Sequence, residues 1–194
     1  MVLGRAEGAS QRIRIWHFLL DLVWILPPAI HITVGSPLEH AIVPTVLALV
    51  AALVALTDFG FGLIPDRLTY PLAFLGIVLA YILDHTSLTD SVIGLAVGFA
   101  TMYGIAWLGS TVAGQQAMGG GDVKLTAALG AFVGWQGLPM MVAFAAILAL
   151  VAVGITALVK SYQMPRKILF GPYLCISALA TYYASDVIWA YLTI

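Results

Sequence analysis

Charge is what this sequence lacks most. Eight Lys or Arg and nine Asp or Glu make up 9% of the 194 residues, where a soluble domain carries roughly 25%. So few polar side chains cannot cover a water-exposed surface, and lipid must be the solvent for most of the chain. Cysteine is nearly missing as well. The single Cys175 excludes an internal disulfide and any multi-thiolate zinc site. A net charge of −1 offers nothing to a nucleic acid, so no such partner is expected. There is no internal repeat and no low-complexity linker. What the chain has instead is apolar bulk: 62% hydrophobic residues and a mean hydropathy of +1.04.

These properties predict an all-α, polytopic transmembrane bundle forming a single membrane-embedded domain over residues 1–194. Apolar stretches cover roughly 13–34, 41–57, 70–84, 90–110, 123–136, 138–159 and 168–193, which makes about seven spans. Arg5, Arg12 and Arg14 flank the first apolar run, as in a signal peptide, but no small-residue cleavage site follows it. Pro27, Pro28 and His31 come next, so the expectation is a retained, proline-kinked first span. Its Asp21 lies one helical turn after His17, a pairing that satisfies a buried carboxylate.

Charge placement sets the expected orientation. With a cytoplasmic N-terminus, the cytoplasmic segments are 1–12, 58–69, 111–122 and 160–167. Arg5, Arg12, Arg14, Arg67, Lys124, Lys160, Arg166 and Lys167, all the basic residues, lie in or beside them. The opposite connections carry Glu39, His40, Asp84, His85 and Asp90 and no Lys or Arg. Cytoplasmic loops of membrane proteins are enriched in Lys and Arg in this way. Tyr182, Tyr183, Trp189 and Tyr191 gather toward the outer end of the last span, where an interfacial aromatic belt is expected.

Glu7, Glu39, Asp84 and Asp90 fall in tails or loops, where a solvated charge is expected, and Asp186 reaches the outer interface. Asp58, Asp66 and Asp122 remain. Asp58 closes the second predicted span and Asp122 opens the fifth, so both lie at one membrane depth. Two carboxyl groups so placed can share a proton, one acting as base on a water while the other donates to a carbonyl or a leaving amine. Gly119, Gly120 and Gly121 precede Asp122; without Cβ atoms they can take positive φ and admit a partner helix or an extended substrate. A hinge followed by an N-capping aspartate explains the same residues, and at this point both readings stand.

The ordered set resembles a known family. It comprises an Asp ending a span, then Ile64-Pro65-Asp66-Arg67-Leu68-Thr69-Tyr70-Pro71, then Gly119-Gly120-Gly121-Asp122-Val123-Lys124-Leu125, then Phe170-Gly171-Pro172-Tyr173-Leu174. The run from Ala127 to Trp135 fits too. This is similar to the prepilin peptidases, or type IV leader peptidases, of the GxGD class of aspartyl proteases. The resemblance covers about residues 41–180. It implies a six-span peptidase core, here 41–194, preceded by an extra span within 1–40. It assigns the catalytic carboxylates to Asp58 and Asp122. Asp66 and Lys124 become supporting residues, Lys124 being equally an inner-face anchor. Pro65, Gly171 and Pro172 are placed near the site, Pro172 also suiting the first turn of a helix.

The resemblance further implies a membrane aspartyl endopeptidase of the inner membrane. It would cut the short basic leader from type IV prepilin-like, pseudopilin or preflagellin substrates at the cytoplasmic boundary. Many bacterial members carry a cytoplasmic domain with two Cys-x-x-Cys pairs and methylate the new N-terminus. With one Cys and residues 1–12 before the first span, a peptidase-only form is expected, without cofactor or metal. One rival is an intramembrane protease of the presenilin or signal-peptide-peptidase kind, although Thr57 stands where those enzymes place Tyr. The other is an ion-coupled transporter, which would hold its carboxylates nearer the bilayer midplane.

Overall fold

The structure is a computed structural model and describes residues 39–61, 63–114, 118–159 and 170–192. The expected span over 13–34, with His17, Asp21 and the three N-terminal arginines, lies outside them, as do Lys160, Arg166 and Lys167. The described residues form five helices and no strand: α1 (Glu39–Phe61), α2 (Asp66–Leu83), α3 (Leu88–Ala113), α4 (Gly120–Val159) and α5 (Gly171–Leu192). Four contain stretches long and apolar enough to cross a membrane: Ala41–Asp58, Asp66–Leu83, Leu88–Val112 and Gly120–Ile155.

Helix ends follow local chemistry. Pro65 precedes α2 in an extended conformation, and its carbonyl accepts from Leu68 N at 2.9 Å and Thr69 N at 3.4 Å. That helix stops at Asp84, whose φ of 50° places it in the left-handed region that Asp tolerates. Ser87 caps α3 by accepting from Asp90 N at 3.1 Å. At the other end of α3, Gly114 adopts the left-handed conformation usual at a helix C-terminus.

The long α4 is two helical segments joined at Gly134, whose φ of 69° and ψ of 170° leave the helical region. A Cβ built on Gly137 would lie 3.2 Å from Val133 Cβ, whereas residues four apart on a continuous helix hold their Cβ atoms ≈ 5–6 Å apart. The chain therefore folds back on itself at Gly134, between the fifth and sixth spans expected from the sequence. Carbonyls just before such a break lose their helical donors. Ser91, fully buried on α3, donates to one of them, Ala131 O, at 2.7 Å. Beside it Trp135 Nε1 donates to Asp90 Oδ1 at 2.9 Å.

The core runs between α1, α4 and α5 through Leu47, Val54, Leu125, Leu129, Phe132, Met141 and Leu174. The most extensive packing is that of α3 on α4. There Gly94 and Gly130 cross so closely that a Cβ on either would overlap the other's carbonyl oxygen. Small residues at a crossing are the usual device where lipid removes the hydrophobic drive between helices. Outward faces carry Phe74, Trp107 and Leu150, which are 71%, 61% and 73% exposed. An apolar exterior of this kind needs acyl chains around it. Tyr182 departs from the expected aromatic belt: it is buried, its ring 6.2 Å from that of His85.

The two ends of the bundle differ. One gathers Thr86, Asp90, Gly134 and Trp135, with His85 against Tyr182. The other gathers the end of α1 and the starts of α2, α4 and α5.

Candidate active site

Asp58 lies in the last turn of α1, which continues to Phe61, and is only 6% exposed. Its neighbour Thr57 turns its hydroxyl back to the carbonyls of Leu53 and Val54, at 3.0 and 3.1 Å, and so does not compete for the carboxyl group. The backbone N–H of Gly171, the first residue of α5, is directed at that carboxyl group. Asp58 Oδ2 is buried with no hydrogen-bond partner among the described residues. A buried carboxylate oxygen left in this state is an unusual feature.

Asp122 is the third residue of α4 and half-buried. Its carbonyl accepts from Thr126 Oγ1 at 2.8 Å, which ties down the first turn. Asp122 Oδ2 borders Gly119, Asp58 Oδ2 borders Gly171, and Ile64 packs against both Gly121 and Gly171, so the two carboxyl groups lie at the same end of the bundle. Helices α1 and α4 nevertheless have almost no direct packing; α5 lies against both. The two aspartates thus lie on either side of the start of α5.

The remaining candidates divide. Gly171 forms one wall: a Cβ there would stand 3.0 Å from Asp58 Oδ2, 3.0 Å from Val54 Cγ1 and 2.9 Å from Ile64 Cδ1. Pro172 is buried in the first turn of α5, where its missing N–H costs no hydrogen bond. In the glycine run, Gly121 packs against Ile64, 3.0 Å separating its would-be Cβ from Ile64 Cβ. A Cβ on Gly119 would stand 3.6 Å from Asp122 Oδ2, while one on Gly120 would meet open space. None of the three uses the positive φ open to glycine; Gly120 and Gly121 simply begin the helix. Their use is close approach rather than an unusual backbone.

Asp66 is engaged elsewhere. Lys124 Nζ lies 2.7 Å from each of its carboxylate oxygens and 5.5 Å above the Tyr70 ring. Pro65 sets the start of α2 and through it this ion pair. Sequence reasoning gave no site role to Ile64 and Tyr70, although both stand in the motif that carries the resemblance, and passed over Val54. Ile64 and Val54 are apolar and carry no chemistry that a motif search would flag; their place beside Asp58 comes from packing alone.

Fold and site together define a membrane-embedded helical bundle with two carboxyl groups meeting at one end. Residues 45–155 match the type IV leader peptidase family, and the chain belongs to it. A prepilin leader peptidase/N-methyltransferase of Aeromonas hydrophila is 31% identical over 193 residues, covering 98% of this chain and 66% of its own length. That of Pseudomonas putida is 33% identical over 190 residues, covering 96% and 65% respectively. A third, from Pectobacterium carotovorum subsp. carotovorum, is 36% identical over 179 residues, covering 91% and 63%. The chain therefore spans under two thirds of the length of these relatives. No solved structure matches it.

Proposed function

We propose that this chain is an aspartic endopeptidase that removes the short basic leader from prepilin-like membrane proteins, with Asp58 and Asp122 as its catalytic pair. The observation that carries this reading is that the Asp58 and Asp122 carboxyl groups lie at the same end of the bundle, with Gly171 and Ile64 beside them. The relatives' printed name adds the substrate class. The proposal is confined to the peptidase half of that double name, with residues 41–194 as the peptidase core.

The reaction needs one carboxylate and one carboxylic acid. The carboxylate takes a proton from a water as its oxygen attacks the scissile carbonyl carbon. The acid gives its proton to the carbonyl oxygen, forming a neutral tetrahedral diol. Collapse of the diol breaks the C–N bond, and a proton passes to the leaving amine as the carbonyl reforms. The proton belongs to the pair, as in other aspartate dyads. No step calls for a metal ion or a cofactor.

The same reading includes seven spans, a cytoplasmic N-terminus and a site at the cytoplasmic face of the inner membrane. Asp58 and Asp122 lie in a last and a first helical turn, which suits a cut at the membrane edge better than an ion path through the midplane. A basic leader would then stay in water while the hydrophobic helix after it lies in lipid.

The test is cleavage of a prepilin-type substrate by the purified protein in liposomes. Wild type should cut at the leader boundary, and Asp58→Ala and Asp122→Ala should be inactive but folded. Cutting within the hydrophobic helix would point to an intramembrane protease. Ion flux without cleavage, lost in Asp122→Asn, would point to a transporter. Activity abolished by a chelator and restored by a divalent ion would sink the aspartic mechanism.

A further inference from the structure

Ile64 stands half-buried in the short connection before α2. Its Cβ and carbonyl oxygen lie 3.0 and 3.3 Å from the position a Gly121 Cβ would take. Its Cδ1 lies 2.9 Å from the corresponding position on Gly171, which is itself 3.0 Å from Asp58 Oδ2. This one side chain therefore fills the space between the start of α4 and the start of α5. Gly121 directly precedes Asp122 in the chain, and Gly171 borders Asp58. One line of contacts so runs from Asp122 through Gly121, Ile64 and Gly171 to Asp58.

The helices that carry the two aspartates have almost no packing of their own, whereas α5 packs on both. The separation of the carboxyl groups is thus left to what lies between the helix ends. Ile64 is suited to fix it, because a β-branched side chain is stiff at χ1. Pro65 confines the residue before it to extended backbone, and the Pro65 carbonyl accepts from Leu68 N and Thr69 N. The side chain projects from a braced position, and contacts packed this closely transmit a displacement rather than absorb it.

Two carboxyl groups share one proton only while they stand close together. A misplacement of about 1 Å is enough to cost about 10²-fold in rate. We infer that Ile64 is a positioning residue for the reaction, a spacer whose side chain sets the distance between the Asp58 and Asp122 carboxyl groups. This rests on the peptidase reading of those two aspartates.

The experiment uses the full chain in liposomes and one peptide, a short basic leader followed by a hydrophobic helix. For wild type, Ile64→Ala, Ile64→Val and Ile64→Phe it measures kcat, KM and the pH profile. Ile64→Ala and Ile64→Phe should each lower kcat by about 10²-fold with KM little changed, and Ile64→Val should lower it less.

The limbs of the pH profile separate a spacer from a merely structural residue. Repulsion between two carboxylates weakens with distance, so the second proton leaves at lower pH when they stand farther apart. Ile64→Phe, which wedges the helix starts apart, should bring the alkaline limb down and narrow the bell. Ile64→Ala, which lets them close up, should broaden it, and Ile64→Val should do so to a smaller extent. Loss of packing alone would reduce the amount of active enzyme and leave both limbs in place. Limbs at their wild-type positions in the variants that fold, Ile64→Val being the one least able to disturb folding, overturn the inference. Cleavage by wild type then keeps the peptidase reading intact, while a wild type that does not cut the peptide overturns both.

Discussion

The Lys124 ammonium lies 2.7 Å from both carboxylate oxygens of Asp66, joining the start of α4 to the start of α2. This contact separates Asp66 from the two other acidic residues at that end of the bundle. Asp66 already has a cation, whereas Asp58 Oδ2 has no partner among the described residues. Both members of the ion pair are partly exposed, at 33% and 54%, so salt screens it and its contribution to folding is small.

The first prediction follows from that separation. Asp66→Ala and Lys124→Ala should keep substantial activity and nearly the wild-type thermal stability in detergent. Asp58→Asn and Asp122→Asn should lose about 10²–10⁴-fold in kcat, the usual contribution of a positioned acid or base. An Asp66→Ala enzyme as inactive as Asp122→Asn would show that the pair has been misassigned.

A shared proton also dictates the form of the pH profile. The working state has one carboxyl group protonated and the other ionised. Activity should therefore fall on both sides of its optimum: at lower pH because the base is protonated, at higher pH because the acid has lost its proton. A rate that climbs to a plateau with no alkaline fall, measured as kcat/KM on one peptide, would contradict a carboxyl dyad.

Substitution of Gly171 tests the wall beside Asp58. Gly171→Ala places a methyl group within 3.0 Å of Ile64 Cδ1, Asp58 Oδ2 and Val54 Cγ1. Displacing the carboxyl group by a fraction of an ångström to 1 Å should cost about 10²-fold in rate. Gly154→Ala serves as the control, since nothing lies within 4 Å of that position, and its activity should match wild type.

The fold-back at Gly134 supports a stability prediction. Ala there must adopt φ of 69° with ψ of 170°, a conformation essentially reserved for Gly, at about 1–3 kcal/mol. Ser91→Ala should cost about 1–3 kcal/mol by leaving the buried carbonyl of Ala131 without its donor. Denaturant titration of the purified variants measures both, and wild-type stability in either would refute this account of the hairpin.

Orientation is open to a direct check. Arg67 lies at the site end and Ser87 at the opposite end. In a background where buried Cys175 is replaced by Ala, Arg67→Cys should react with an impermeant maleimide only from the cytoplasmic side. Ser87→Cys should react only from the outer side. The reverse pattern would invert the proposed topology.

Much of this molecule is legible in the amino-acid order, because its solvent is. Scarce charge and long apolar runs demand a membrane, and in a membrane each backbone must satisfy itself as helix. Within the described residues, the predicted stretches 41–57, 70–84, 90–110, 123–136, 138–159 and 168–193 therefore coincide with the observed helices to within a few residues at their ends, while 13–34 lies outside those residues. Asp58 and Asp122 were visible for the same reason, since carboxylates at the ends of such runs have few uses. Only tertiary structure decided which neighbours these aspartates have. Asp66 was indistinguishable from them by residue type until Lys124 was found upon it. Gly171 lies far along the chain from Asp58, and no local pattern brings the two together. Ile64 was one isoleucine among many until packing placed its Cδ1 beside Gly171. Solvent acts on every residue where it stands in the chain, so its imprint is written along the sequence. Contacts among residues distant in sequence come from how the helices pack, and that is settled only when they meet.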